Sequence, residues 1–154
     1  MINKSFTMEQ GNVFSVLNCQ VHHVGYAVHD IERAGKIFTL LNFQKESSVT
    51  KDVIRNINIQ FWRNQTTLIE LISILDGSQK SPVDFLFKKK CSFPGNGMPY
   101  HICYVVDGLE QTINQLKKEK FFVIQPPMQA PALENRHVAF LVHNDIGMIE
   151  LLEK

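Results

Sequence analysis

Residues 21–41 read VHHVGYAVHDIERAGKIFTLL, and residues 100–119 read YHICYVVDGLEQTINQLKKE. Each stretch opens with a short apolar run that carries a histidine, passes an Asp, and continues with apolar residues at helical spacing. Working outward, each is answered by a later apolar run with one embedded acid, TLIELISIL at 67–75 and GMIELLEK at 147–154. His23 precedes Glu70 by nearly the same number of residues as His101 precedes Glu150, which is the pattern of a duplicated unit. Two His and two Glu form a nitrogen and oxygen donor set suited to Zn, Ni, Co, Mn or Fe, and not to Ca or Mg alone. The pattern predicts a metalloenzyme.

The first unit predicts a strand over 21–28, a helix capped by Asp30, and three strand candidates in FQKESSV, VIRNINIQFW and TTLIELISIL, the last two joined by a turn at RNQ. The second repeats that order: HICYVV, a helix over LEQTINQLKKEK capped by Asp107, then FFVIQ, RHVAFLVH and MIELLE, with a turn at NDIG. The expected layout is an N-terminal extension over 1–20, a βαβββ module over 21–76, a linker over 77–98 and a second βαβββ module over 99–154. The fold class is therefore α+β, two modules pairing into one curved cleft. A short helix is expected at PVDFLFKKK in the linker, its Lys run reading as a solvated helix end. QPPMQAPALENR reads as a Pro-rich loop without periodicity.

Length and composition agree with one compact unit. The 154 residues are 44% hydrophobic and 20% charged, within the range of globular chains. A net charge of +1 gives no reason to expect a nucleic-acid partner. The opening MINKSFTMEQGNVFSVLNCQ has no uninterrupted apolar stretch, so neither a signal peptide nor a membrane span is expected, and a cytoplasmic location is the default. Cys19, Cys91 and Cys103 are odd in number and lack CxxC spacing, so reduced thiols are expected.

Side chains alternate across a strand, placing His23 with Gly25 and Ala27, His101 with Cys103 and Val105, and each Glu among apolar neighbours. A lone His or Glu in such a setting is ordinarily a hydrogen-bonded core group or a solvent-facing one. A matched quartet is different, because carboxylates buried together cost several kcal/mol unless a cation takes them. His22, His29, His137 and His143 have no matching partner and read as structural or surface residues, with His22 pointing away from His23. Cys103 shares the face of His101 and is a candidate lining residue of the site.

The motifs HHVGYAV, LIELI, YHICYVV and MIELLE resemble those of the vicinal oxygen chelate superfamily over about residues 20 to 153. Within it the chain resembles clostridial-type glyoxalase I and methylmalonyl-CoA epimerase. The resemblance implies two modules around one divalent metal, Ni or Zn favoured and Co or Mn possible, held by His23, Glu70, His101 and Glu150. It also implies proton transfer next to a carbonyl through an enediolate or enolate held by the metal, with Glu150 as the base and Glu70 opposite it. Extradiol dioxygenases lack a ligand at the position of Glu70, and bleomycin-sequestering members lack the metal set.

Glutathione-dependent glyoxalases carry an Arg and an Asn where this chain has Ala27 and Ile74. Epimerases add a separate carboxylate base on the third strand, where VIRNINIQFW offers only Asn58 and Gln60. Glyoxalase I (lactoylglutathione lyase) chemistry is the first expectation, with a thiol adduct as substrate. Epimerisation of an acyl-CoA is the alternative, and a non-catalytic binding or resistance protein a further one. A homodimer is expected. The segment 126–136 is expected to overhang the cleft and present Arg136 to an anionic group of the substrate.

Overall fold

The computed structural model describes residues 17–87 and 97–154. Most of each half of the Asp30 helix signal is realised. Strand β1 (Cys19–Val28) leads into helix α1 (Ile31–Leu40), and the Asp30 side chain accepts from the Arg33 backbone N–H at 3.0 Å. Two short strands follow, β2 (Gln44–Lys45) and β3 (Thr50–Asp52), then β4 (Ile57–Arg63) and β5 (Leu68–Ile74). The turn between the last two is held by Asn64, whose side-chain oxygen accepts from the N–H groups of Thr66 and Thr67. The second half runs β6 (Gly97–Val106), α2 (Leu109–Lys118), β7 (Phe122–Ala130), β8 (Arg136–His143) and β9 (Gly147–Glu153).

The nine strands among the described residues form one mixed sheet in the order β2-β4-β5-β1-β6-β9-β8-β7, with β3 also on β4. β1 and β6 lie side by side and antiparallel at the centre. Each is flanked on its outer side by a parallel partner, β5 for β1 and β9 for β6. Both early histidines and both late glutamates therefore lie on the four central strands. The helices cover one face. Ile31 of α1 packs with Val28, Trp62, Ile69 and Leu71, while Leu109 and Ile113 of α2 pack with Val106, Ala139, Leu141, Ile149 and Leu151. The opposite face holds a third apolar cluster that includes Ala27, Ile59, Phe61, Ile72, Cys103, Val138 and Leu152.

Four sequence expectations are revised. VIRNINIQFW is not strand throughout, because residues 53–56 form a turn in which Asn56 adopts φ 56°, a conformation Asn tolerates better than most residues. Helix α2 is capped by Gly108 without a side-chain bond; Asp107 lies one residue outside and is drawn to Lys154 Nζ at 2.9 Å and the Asn18 amide at 3.1 Å. QPPMQA is not loop but the second half of β7. Proline is tolerated there because β7 is an edge strand and its pairing skips between Gln125 and Met128, where Pro126 and Pro127 need donate nothing. The remainder, Pro131–Leu133, is a 3-10 turn. Among the described linker residues, Asp84–Phe87 is a 3-10 turn; the Lys run and Cys91 lie outside the described residues. Among the described residues no helix is long and apolar enough to cross a membrane.

Gly35 shows how closely α1 sits on the sheet. A Cβ there would collide with the Trp62 ring, which is anchored by its indole N–H to Gln60 Oε1 at 3.0 Å. Gly→Ala in a helix ordinarily gains up to about 1 kcal/mol, whereas forcing extra volume against an immobile ring costs about 1–3 kcal/mol. Gly35→Ala is expected to lower stability on balance, by about 1–2 kcal/mol, visible as a drop of a few degrees in Tm by calorimetry.

Candidate metal centre

β1 and β5 carry His23 and Glu70, and β6 and β9 carry His101 and Glu150, to one point in the middle of the sheet. All four residues are buried, between 1% and 4% exposed. His23 Nε2 lies 3.2 Å from His101 Nε2, 3.2 Å from Glu70 Oε2 and 3.2 Å from Glu150 Oε2. His101 Nε2 lies 3.6 Å from Glu70 Oε2 and 3.3 Å from Glu150 Oε2. Donors bound to one ion at about 2.0–2.2 Å stand at such separations from each other. The quartet lies within one chain.

Whether these residues suit a cation can be judged from what they lack. Glu150 Oε2 is close to both imidazoles yet has hydrogen-bond geometry to neither, and it is sealed from solvent. A buried carboxylate oxygen with no donor is costly. Two imidazole nitrogens facing each other and two carboxylates are all electron-pair donors, so a divalent cation satisfies the whole set. The group can hold a metal ion.

The electrostatics agree. Burial alone would lower the His23 pKa, but the Glu70 charge and contacts with Glu150 and Glu70 outweigh it and push it up to about 10. Burial likewise works to raise the Glu150 pKa, but contacts with His101 and His23 hold its carboxyl well below the usual range. A proton on His23 thus occupies the place a cation would take. Metal uptake has to displace it, so affinity falls as pH falls.

One side chain flanking the quartet was not anticipated. The pairing of β1 with β6 slips between Val21 and His23, leaving His22 as an extra residue in a β-bulge. The bulge turns His22 back toward its neighbour, and the two Nδ1 atoms are 2.8 Å apart, so His22 orients His23 rather than pointing away from it. Burial, and then the His23 charge, lowers the His22 pKa to about 4, keeping its ring neutral and able to accept from His23. His101 has no such support, and its Nδ1 lacks a partner. Its ring is held by packing instead, edge-to-face with Phe140 at 5.3 Å and directly over Gly25, where a Cβ would occupy the ring's place.

A cavity of about 230 Å³ opens beside Glu70 and Glu150. Its walls are largely apolar, but Tyr100, Asp52, Arg55 and Gln125 also line it. Burial, then the charges of Glu70 and Glu150, raise the Tyr100 pKa well above its ordinary value. Asp52 is 1% exposed and accepts from the backbone N–H and the guanidinium of Arg55. Arg55 also donates to Gln125 Oε1 at 3.2 Å and to the Gln129 carbonyl at 3.0 Å. The D-x-x-R spacing of Asp52 and Arg55 was the available signal, obscured because 53–56 read as strand.

Arg136 does not line this cavity. It stands at the start of β8, bonded to the Leu133 carbonyl, and lines a smaller groove with His22, Glu46, Ser47 and Arg63. Leu133 and Ala132 of the preceding turn do reach the cavity wall. Cys103 is fully buried in the apolar cluster, and burial followed by the Glu150 charge raises its thiol pKa, so it backs the site without lining the cavity.

The sequence profile described as the Glyoxalase/Bleomycin resistance protein/Dioxygenase superfamily matches residues 22–140. The chain belongs to that superfamily. Among solved structures, a hypothetical protein from Bacillus halodurans is similar with a TM-score of 0.72 at 22% identity, over 89% of this chain and 95% of that one. Methylmalonyl-CoA epimerase from Mycobacterium tuberculosis is similar with a TM-score of 0.72 at 19% identity, covering 93% and 92%. A Streptomyces coelicolor methylmalonyl-CoA epimerase in complex with 2-nitronate-propionyl-CoA gives 0.72 at 14% identity, covering 90% and 99%. At these identities the likeness concerns the fold. No curated protein matches the chain.

The role of His22 is open to direct measurement. His22→Ala is expected to weaken Zn affinity about 10- to 100-fold, read by competition with a chromophoric chelator. His137→Ala, which removes an exposed contact with Glu153, should leave it unchanged.

Proposed function

We propose that the protein is a divalent-metal-dependent enzyme that moves the proton on a carbon next to a thioester carbonyl, in the manner of a methylmalonyl-CoA epimerase. The observation that carries this reading is that the two carboxylates of the donor quartet, Glu70 and Glu150, one from each half of the sheet, line one largely apolar cavity. The sequence alone placed glyoxalase I chemistry first. Three features favour the acyl-CoA alternative. Ala27 and Ile74 replace the residues expected for glutathione. A separate carboxylate, Asp52, stands on the cavity wall after all. The epimerase neighbours include complexes with acyl-CoA ligands.

His23, Glu70, His101 and Glu150 would hold the cation. Bound there, it supplies Lewis-acid stabilisation of the negative charge that a carbonyl oxygen acquires when the adjacent carbon loses its proton. The chain supplies the rest. Inversion at carbon requires that a proton leave one face and return to the other, so acid–base groups are needed on both sides. Glu150 takes the proton at a carboxylate oxygen, and Glu70, contributed by the other half of the sheet, is the second carboxylate beside it. The apolar walls formed by Ile59, Ile72, Leu133 and Phe140 keep bulk water from the developing charge. A volume of about 230 Å³ equals roughly eight water molecules. It admits a small acyl unit and leaves a large thiol carrier outside.

Metal-loaded protein is expected to exchange the C2 proton of methylmalonyl-CoA with deuterium oxide, followed by NMR. Glu150→Gln should retain most of the metal, because an amide oxygen still coordinates, yet lose about 10²- to 10⁴-fold in exchange. Glu70→Gln and Asp52→Asn are the paired controls; a loss confined to Asp52→Asn would move the base to that residue. Turnover of a hemithioacetal without any exchange on the CoA ester would return the assignment to glyoxalase I.

A further inference from the structure

The register of the two central strands slips a second time. Gly25 of β1 faces His101 of β6, but the next residue, Tyr26, faces Pro99, leaving Tyr100 without a partner. In an unbroken strand Tyr100 would point away from the face that bears His101. The extra residue brings it back. Its ring lies 4.5 Å from that of His101 at 82°, and it lines the cavity beside Glu70 and Glu150. Bulges recur next to active sites because they re-aim a side chain in this way.

We propose that Tyr100 is a catalytic residue whose hydroxyl donates a hydrogen bond to the substrate oxygen beside the reacting carbon. This rests on the reading of the cavity as a site of proton transfer at a carbonyl compound. Packing against His101 requires only the ring, which phenylalanine would provide equally well; the hydroxyl is what calls for a partner. Among the described residues it has none, and the residue lines the cavity. The other polar residues of the wall are partly engaged, with Arg55 Nη2 and Gln125 Nε2 left without partners among the described residues. Asp52, Arg55 and Gln125 bond to one another, and Glu70 and Glu150 belong to the quartet and offer only acceptors. Tyr100 is an uncommitted hydroxyl donor beside His101, Glu70 and Glu150, and a donor placed where an oxyanion would develop contributes through charge stabilisation without reorganising.

The test uses the full chain loaded with Zn. Tyr100→Phe is expected to keep its metal content and Tm, to slow deuterium exchange of methylmalonyl-CoA about 10²-fold, and to weaken oxalate about tenfold or more by calorimetry. Oxalate is chosen as a planar dianion with two adjacent oxygens. An unchanged oxalate Kd would overturn the proposal. Wild-type protein that fails to exchange methylmalonyl-CoA overturns the epimerase reading, whereas the oxalate comparison still decides the hydroxyl contact. A second measurement removes any dependence on the variant's fold. With 3-fluorotyrosine at all three tyrosines, oxalate should shift the Tyr100 fluorine resonance in the otherwise unaltered chain, and a resonance that does not move rejects the contact.

Discussion

Two carboxylates and two imidazoles meet in the dry centre of the sheet, and much of the surrounding architecture can be understood as meeting that demand. Anions buried together repel and lose their hydration, at several kcal/mol each. Here they share one proton on His23 or one cation. Bringing them within 3.6 Å of the histidines requires that the two late strands run parallel to the two early ones, which the crossover helices α1 and α2 permit. The helices then cover the back of the sheet and leave the opposite face free to form the cavity.

Precision within the centre comes from departures from regular strand geometry. Both central strands carry their ligand histidine immediately after a bulged residue, His22 before His23 and Tyr100 before His101. The consequences differ. His22 fixes the ring of its neighbour through a nitrogen contact, whereas Tyr100 packs on its neighbour and lines the cavity. Gly25 adds the complementary vacancy, since the imidazole of His101 occupies the space of any side chain at that position. An otherwise duplicated site is thereby made unequal.

The quartet, the α+β class and the strand order around each histidine were legible in the sequence, because burial periodicity and near-equal spacing survive translation into structure. What was not legible depended on breaks in periodicity. His22 was expected to point away from His23 because strict alternation was applied across a residue that has no partner. Pro126 and Pro127 suggested a loop because a missing N–H matters in a central strand and not on an edge. Arg55 was hidden inside an apolar run whose first residues turn out to be a turn, and Asp52 stands just before it. Arg136 carried the right charge but sits across a turn from the cavity, and only the path of the backbone distinguishes it from Arg55.

The borders of the sheet have a consequence for the behaviour of the protein in a crowded solution. A free strand edge presents unpaired backbone groups on which another chain can extend the ladder. One border here is β7, whose middle is occupied by two prolines and skipped pairings. The other border of β4 is occupied only by the two-residue β2 and the three-residue β3. Neither offers a long uninterrupted template. A nine-stranded sheet of mostly apolar sequence is thus poorly suited to nucleating fibrils, and association between copies of the chain is directed to side-chain surfaces rather than to the backbone.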